Sequence, residues 1–135
     1  MNTLDKKIVL LLVEDEKILA NTLEEKLVSE GFTVLKAYDG EEGLKMALEN
    51  HPNLILLDLL MPKVDGITML KGLRKDSWGA RAAVIILTNL ESSDKISETL
   101  DVSFGNVFEY MLKTNWSLED IVARIKERLQ IKDSK

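Results

Sequence analysis

The chain has 135 residues, with 18 Lys and Arg against 23 Asp and Glu and a net charge of −5. That length argues for one domain, and the acidic balance argues against a nucleic-acid binder, whose phosphate contacts need a basic face. Cysteine is absent and His51 is the only histidine, which excludes disulfides, thiol nucleophiles, thiolate metal sites and multi-histidine metal sites.

The first predicted element is a strand, the apolar run 8–13, with Glu14, Asp15 and Glu16 directly after it. Lys6 and Lys7 before the run give it a faint likeness to a signal peptide. Six apolar residues are too few, because a secretory core needs roughly 7–15 of them and a small-residue cleavage site. No stretch approaches the roughly 20 apolar residues needed to span a bilayer. Leu19, Leu23 and Leu27 then recur at a spacing of four and predict a helix, with Gly31 as its stop. Residues 32–37 are rich in strand formers. Asp39, three before Glu42, resembles a capping box and opens a second helix with Leu44, Ala47 and Leu48 as its stripe, ended by His51-Pro52.

Leu54–Leu57 is the third strand, followed at once by Asp58. A short third helix, 67–74, carries Ile67, Leu70 and Leu73. The fourth strand, 84–87, leads into Thr88 and Asn89. A weak fourth helix over 92–100 has only Ile96 and Leu100 as apolar anchors. The fifth strand, 107–112, leads into Lys113. In the fifth helix Ser117 caps, with Asp120 three residues on, and Leu118, Ile121, Val122, Ile125 and Leu129 make one face. The tail, 132–135, is expected to fray. Continuous apolar runs indicate strands buried on both faces, and strict βα alternation indicates an open parallel sheet with helices on both sides.

In such sheets ligands sit beyond the carboxyl ends of the strands. There the sequence places Glu14, Asp15 and Glu16 after strand one, Asp58 after strand three, Thr88 after strand four and Lys113 after strand five. Clustered carboxylates repel unless a cation sits among them, and oxygen donors without His or Cys favour a hard ion such as Mg²⁺. A carboxylate beside a divalent ion, a hydroxyl and an ammonium can act as a nucleophile toward a phosphoryl group. Taken singly, each feature is ordinary: an acidic pair after a strand is usually a helix N-terminus. An Asp directly after four apolar residues, with the others at strand ends one, four and five, is not.

These residues resemble the receiver domain of bacterial two-component response regulators. The stretch LLDLLMPKVDG, residues 56–66, matches the D-x-x-M-P-x-x-D-G pattern of that family in full. VEDE at 13–16 resembles its acidic-pair motif, ILT at 86–88 its switch-threonine motif and YMLK at 110–113 its aromatic-x-x-Lys motif. The resemblance spans about residues 7–130. It implies a flavodoxin-like (βα)5 fold, doubly wound, with a five-stranded parallel sheet in the order 2-1-3-4-5. It implies a single receiver domain over 1–135 without an output domain. By position, Asp58 is the phosphoacceptor. Asp15 is a direct Mg²⁺ ligand, Glu14 acts through water, and Asp58 and the Leu60 carbonyl complete the protein's share. Thr88 hydrogen-bonds the phosphoryl group, Lys113 pairs with it, and Tyr110 is the aromatic that moves with Thr88. The readout face is built from the fourth helix, fifth strand and fifth helix.

Two departures stand out. Thr114 follows Lys113 where the family usually has Pro after a typically cis bond, and cis before a non-proline residue costs about 3–4 kcal/mol. The Lys113–Thr114 bond is therefore either trans with a rerouted loop, or cis and strained. The segment from Thr88 to Lys113 is also a few residues longer than the family pattern. Leu60 and Leu90 occupy the two positions that tune acyl-phosphate hydrolysis in the family, and Asn89 adds bulk beside Thr88. Two apolar side chains exclude an attacking water rather than orient it, so slow self-dephosphorylation is expected.

The resemblance further implies a histidine kinase or phosphotransfer protein as donor and a protein as downstream target. It implies no direct nucleic acid or membrane contact, a cytoplasmic setting, and a monomer or a phosphorylation-dependent dimer. The chain would not be an enzyme beyond its own phosphorylation and dephosphorylation. A degenerate receiver that only docks proteins is the alternative, disfavoured by the intact Asp58, Asp15, Thr88 and Lys113. An Asp-dependent phosphatase ranks last, since Leu60 stands where its second catalytic Asp would be. His51 is expected in a solvated turn, Trp78 and Trp116 in loops, and Glu24, Glu25 and Lys26 on a solvated face.

Overall fold

The computed structural model describes residues 7–58, 65–88, 108–112 and 116–131, without the side chains of Thr88 and of 108–112. Five parallel strands, β1 (Val9–Val13), β2 (Thr33–Ala37), β3 (Leu54–Leu57), β4 (Val84–Thr88) and β5 (Phe108–Leu112), form one sheet in the order β2-β1-β3-β4-β5. Three helices follow the first three strands: α1 (Lys17–Ser29), α2 (Gly40–Asn50) and α3 (Gly66–Lys75). A C-terminal helix spans Leu118–Arg128. The expected helix over 92–100, the fraying tail and the Lys113–Thr114 bond lie outside the described residues.

The continuous apolar runs have the physical origin expected of them. Side chains alternate across a strand, so Leu10, Leu12, Leu54, Leu56, Ile85 and Leu87 pack on one side with α1 and the C-terminal helix. Their neighbours Leu11, Val13, Ile55, Leu57, Val84 and Ile86 pack on the other with α2 and α3. Both sides of the sheet are covered, so no polar residue interrupts the central strands.

The helix ends follow local chemistry. Asp39 accepts from the Glu42 amide at 2.8 Å, and the Glu42 carboxylate accepts from the Tyr38 amide at 2.9 Å, one residue before the cap. At the C-terminal helix the reciprocal box is complete: Ser117 accepts from the Asp120 amide, and Asp120 accepts from the Ser117 amide, both at 3.1 Å. Trp116 packs into the core ahead of that cap, as a staple would. Gly31 takes a φ of 101°, just past the end of α1. His51 leaves the right-handed helical region before Pro52 by adopting the left-handed one, with a φ of 48°.

Some expectations need correcting. The charges of α1 are not simply a solvated face. Glu24 pairs with Lys36 of β2 at 2.7 Å, while Lys26 contacts Glu30 at 3.6 Å and Glu119 at 3.7 Å. Only Glu25 of the three is exposed, the other two being half-buried. His51 is exposed but not isolated, because its ring stacks on Trp78 with centroids 4.2 Å apart and planes 7° apart. Trp78 in turn packs against the α2–α3 side of the core.

Lys126 of the C-terminal helix meets Glu30 at 2.9 Å and ties that helix to the end of α1. The hydrogen bond from the Lys126 ammonium holds the Glu30 carboxyl below its usual value, against a smaller opposing effect of burial. A depressed carboxyl pKa contributes stability above the unfolded value and loses it as pH falls through the folded one. Lys126→Met should therefore cost about 0.5–1 kcal/mol at pH 7. That difference should fade below the ordinary carboxyl value of 4.5. Urea melts of both chains at pH 7 and near pH 3 read this out.

Candidate functional site

The register of the central strands assembles the site. Val13 of β1 lies beside Leu57 of β3 and Ala37 of β2. The next residues, Glu14 and Asp58, therefore leave the sheet side by side at its carboxyl edge. The backbone holds them there: the Asp58 amide donates to the Val13 carbonyl at 3.0 Å, and the Glu14 amide donates to the Ala37 carbonyl at 3.0 Å. The Glu14 carboxylate accepts from the Glu16 amide at 3.1 Å, which folds the turn entering α1.

Glu14, Asp15 and Asp58 each offer a carboxylate oxygen, and these oxygens lie within 4.8 Å of one another. Glu14 is 1% exposed and Asp58 4% exposed, the two buried charged residues of the described core; Asp15 is half-buried and gives the cluster an open side. Two carboxylates at the tips of central strands, tied by their own backbone and joined by a third, form a donor set of oxygen alone. That set fits a hard divalent cation and gives a soft one nothing to prefer.

The other expected residues divide in two groups. Thr88 ends β4, in register with Leu112 of β5, and Tyr110 is in register with Ile86. Tyr110 therefore stands on the strand that the sequence assigned to it, while β4 runs one residue past the expected 84–87 to take in Thr88, at the same carboxyl edge as Asp58. Lys113, Leu60, Asn89 and Leu90 lie outside the described residues. Asp65, quoted in the sequence only as part of the D-x-x-M-P-x-x-D-G stretch, has a second role: it caps α3 by accepting from the Thr68 amide at 2.8 Å. Its signal was present, since Asp followed by Gly at a helix start is a capping pattern.

The model of the response regulator receiver domain family matches residues 10–126. The chain belongs to that family. The receiver spans about half the length of the curated relatives it matches. It is 32% identical over 125 residues to the DNA-binding dual master transcriptional regulator RpaA of Synechocystis, covering 92% of this chain and 50% of that one. It is 33% identical over 121 residues to the response regulator ArlR of Staphylococcus aureus, covering 90% and 52%. Among solved structures, the Francisella response regulator 1452 receiver domain superposes with a TM-score of 0.79 at 30% identity, covering 92% of this receiver and 98% of that chain. The expectation of no nucleic acid partner gains no support from relatives of which one is named as DNA-binding. Among the described residues no helix is long and apolar enough to cross a membrane.

Proposed function

We propose that this receiver takes a phosphoryl group onto Asp58 from a phosphohistidine on a histidine kinase or phosphotransfer protein. The observation that carries the reading is the meeting of Glu14, Asp15 and Asp58 at one sheet edge, with Asp58 inside the D-x-x-M-P-x-x-D-G stretch. An oxygen of Asp58 forms the new bond to phosphorus as the bond from phosphorus to the donor nitrogen breaks, and the imidazole leaves with that electron pair. Asp15 and Asp58 would hold Mg²⁺, with Glu14 behind them, and the bound ion neutralises charge on the phosphoryl oxygens. Thr88 at the tip of β4 and Lys113, the residue after β5, supply the hydroxyl and the ammonium for the same oxygens. The chemistry is confined to the chain's own Asp58, and the product is a signal read by another protein through the face that includes β5 and the C-terminal helix. The acidic, cysteine-free composition suits a cytoplasmic setting.

The test is phosphorylation by acetyl phosphate, followed by intact mass with and without Mg²⁺. The expected result is a gain of one phosphoryl group that needs Mg²⁺ and vanishes in Asp58→Ala. No gain in any condition would leave only a phosphorylation-independent docking module. The same assay measures decay: Leu60→Asn with Leu90→Glu should shorten the phosphoryl lifetime, and an unchanged or longer lifetime would sink the argument that these leucines exclude water.

A protein donor needs a landing surface near Asp58. Ile18, in the first turn of α1 and three residues beyond Asp15, is 85% exposed. Ile18→Ser should slow transfer from a phosphohistidine protein at least several-fold while leaving acetyl phosphate labelling unchanged. Equal slowing with both donors would place the effect in the site rather than in docking.

A further inference from the structure

An open groove of about 550 Å³ runs between α2 and α3, on the side of the sheet away from α1. Its lining is mostly apolar, with Leu44 and Leu48 of α2 facing Gly72 of α3. The missing side chain at Gly72 lets Leu44 close against α3 to form its floor, since a Cβ there would stand 2.9 Å from the tip of Leu44. Lys45, Lys71 and Lys75 rim the groove, all exposed, against a single acid, Glu41. None of the three lysines forms an ion pair with another described residue. Three ammonium groups around an apolar floor are unusual on a chain whose net charge is −5. Strand and helix directions alternate in a parallel sheet of this kind, so α2 and α3 lie parallel. Glu41 and Thr68 therefore mark the end nearer the carboxylate cluster, and Lys75 and Leu48 the far end.

We infer that this groove is a docking site for an acidic amphipathic helix of a partner protein. From Glu41 to Leu48 the floor is two helical turns long, roughly 10 Å. That length suits apolar anchors at i, i+3 or i+4, and i+7 on the incoming helix. Carboxylates flanking that stripe meet Lys45 on the α2 side and Lys71 and Lys75, one helical turn apart, on the α3 side. A second copy of this chain does not supply such a stripe from its described residues. Their exposed large apolar side chains are Ile18 and Val28, ten positions apart with Thr22 and Glu25 between them. The site is separate from Asp58, and the inference stands whether or not Asp58 is phosphorylated.

The test uses the full chain and a fluorescein-labelled synthetic 16-residue helix, with leucine at the anchor positions and glutamate beside them. Anisotropy titration should show saturable binding that weakens with added salt and at least tenfold in Lys45→Glu with Lys71→Glu. A peptide with lysine in place of each glutamate should bind that double variant and not the parent chain. Asp58→Ala and Ile18→Ser should bind the acidic peptide as the parent does, which separates a failure here from a failure of the phosphoacceptor reading. Absent binding, or binding unchanged in the double variant, overturns the inference. So does preference for phosphatidylglycerol vesicles over the peptide, which would assign the lysines to a lipid surface. Self-association of the parent that the double variant loses would assign the groove to a second copy, and equally overturns it.

Discussion

Asp15→Asn is expected to keep Asp58 in place, lose about a hundredfold or more of its Mg²⁺-dependent labelling, and melt higher than the parent chain in EDTA. The two effects share one cause. Carboxylate oxygens of Glu14, Asp15 and Asp58 lie within 4.8 Å of one another. At an effective dielectric of about 20, two unit charges at such a distance repel by about 3 kcal/mol. Asp15 is half-buried and partly screened by water, so removing its charge should return about 1–2 kcal/mol to the metal-free fold, or about 4–8 °C in melting temperature. Mg²⁺ reverses the order. At a hundred times its dissociation constant a ligand of the folded state stabilises by about 2.7 kcal/mol, and the parent should gain that while the variant gains little. A bound divalent ion supplies several kcal/mol of charge neutralisation in phosphoryl transfer, hence the size of the labelling loss. Calorimetry in EDTA and in Mg²⁺, beside an acetyl phosphate time course, decides it. A variant that melts below the parent in EDTA would mean that Asp15 is held by contacts worth more than its repulsion, and charge repulsion within the cluster would not limit the stability of the metal-free fold.

The sheet and much of the site were readable in the residues because the two have the same origin. A strand covered on both faces must be apolar throughout, so the first polar residue after each run marks the sheet edge. That logic put Glu14 and Asp58 at strand tips; that the two strands are neighbours was implied by the family's strand order, and the Val13–Leu57 register places them side by side. The caps at Asp39 and Ser117 were legible for a similar reason, being local hydrogen bonds between residues three apart. What escaped reading depends on residues distant in sequence. Lys126 and Glu30 meet across 96 positions, and no local pattern announces them. The His51–Trp78 stack arises because α2 ends beside the turn after α3. Leu44 and Gly72 form a groove only once α2 lies against α3. The acidic cluster was visible as chemistry, while the basic groove became visible only as geometry.

Gly79→Ala should destabilise the fold by about 2–4 kcal/mol and lower the melting temperature on the order of 10 °C, although Ala is usually the milder residue. A Cβ at Gly79 would overlap the Leu73 carbonyl oxygen and stand 3.0 Å from its carbon. Those are backbone atoms at the end of α3, and they cannot rotate aside. The surrounding turn has little room to yield. Asp76 accepts from the Trp78 amide at 2.9 Å and the Gly79 amide at 2.8 Å. The Arg74 guanidinium donates to the carbonyls of Gly79 at 2.7 Å and Ala82 at 2.9 Å, and burial lowers its pKa. A shift at Gly79 therefore disturbs a half-buried cation and the entry of β4, whose Val84 sets the register with Ile55 of β3. Four residues further along the same strand stands Thr88, so the displacement bears on the site as well as on stability. Gly72→Ala is the control. There a Cβ meets only the mobile tip of Leu44, at 2.9 Å, and Ala gains about 1 kcal/mol of helix propensity over Gly. It should be neutral or mildly stabilising. Thermal melts of the two variants separate the explanations. If Gly79→Ala melts within a degree or two of the parent, the turn is looser than its hydrogen bonds imply. If both variants fall equally, helix packing in general, and not the Leu73 carbonyl, is what a methyl group disturbs.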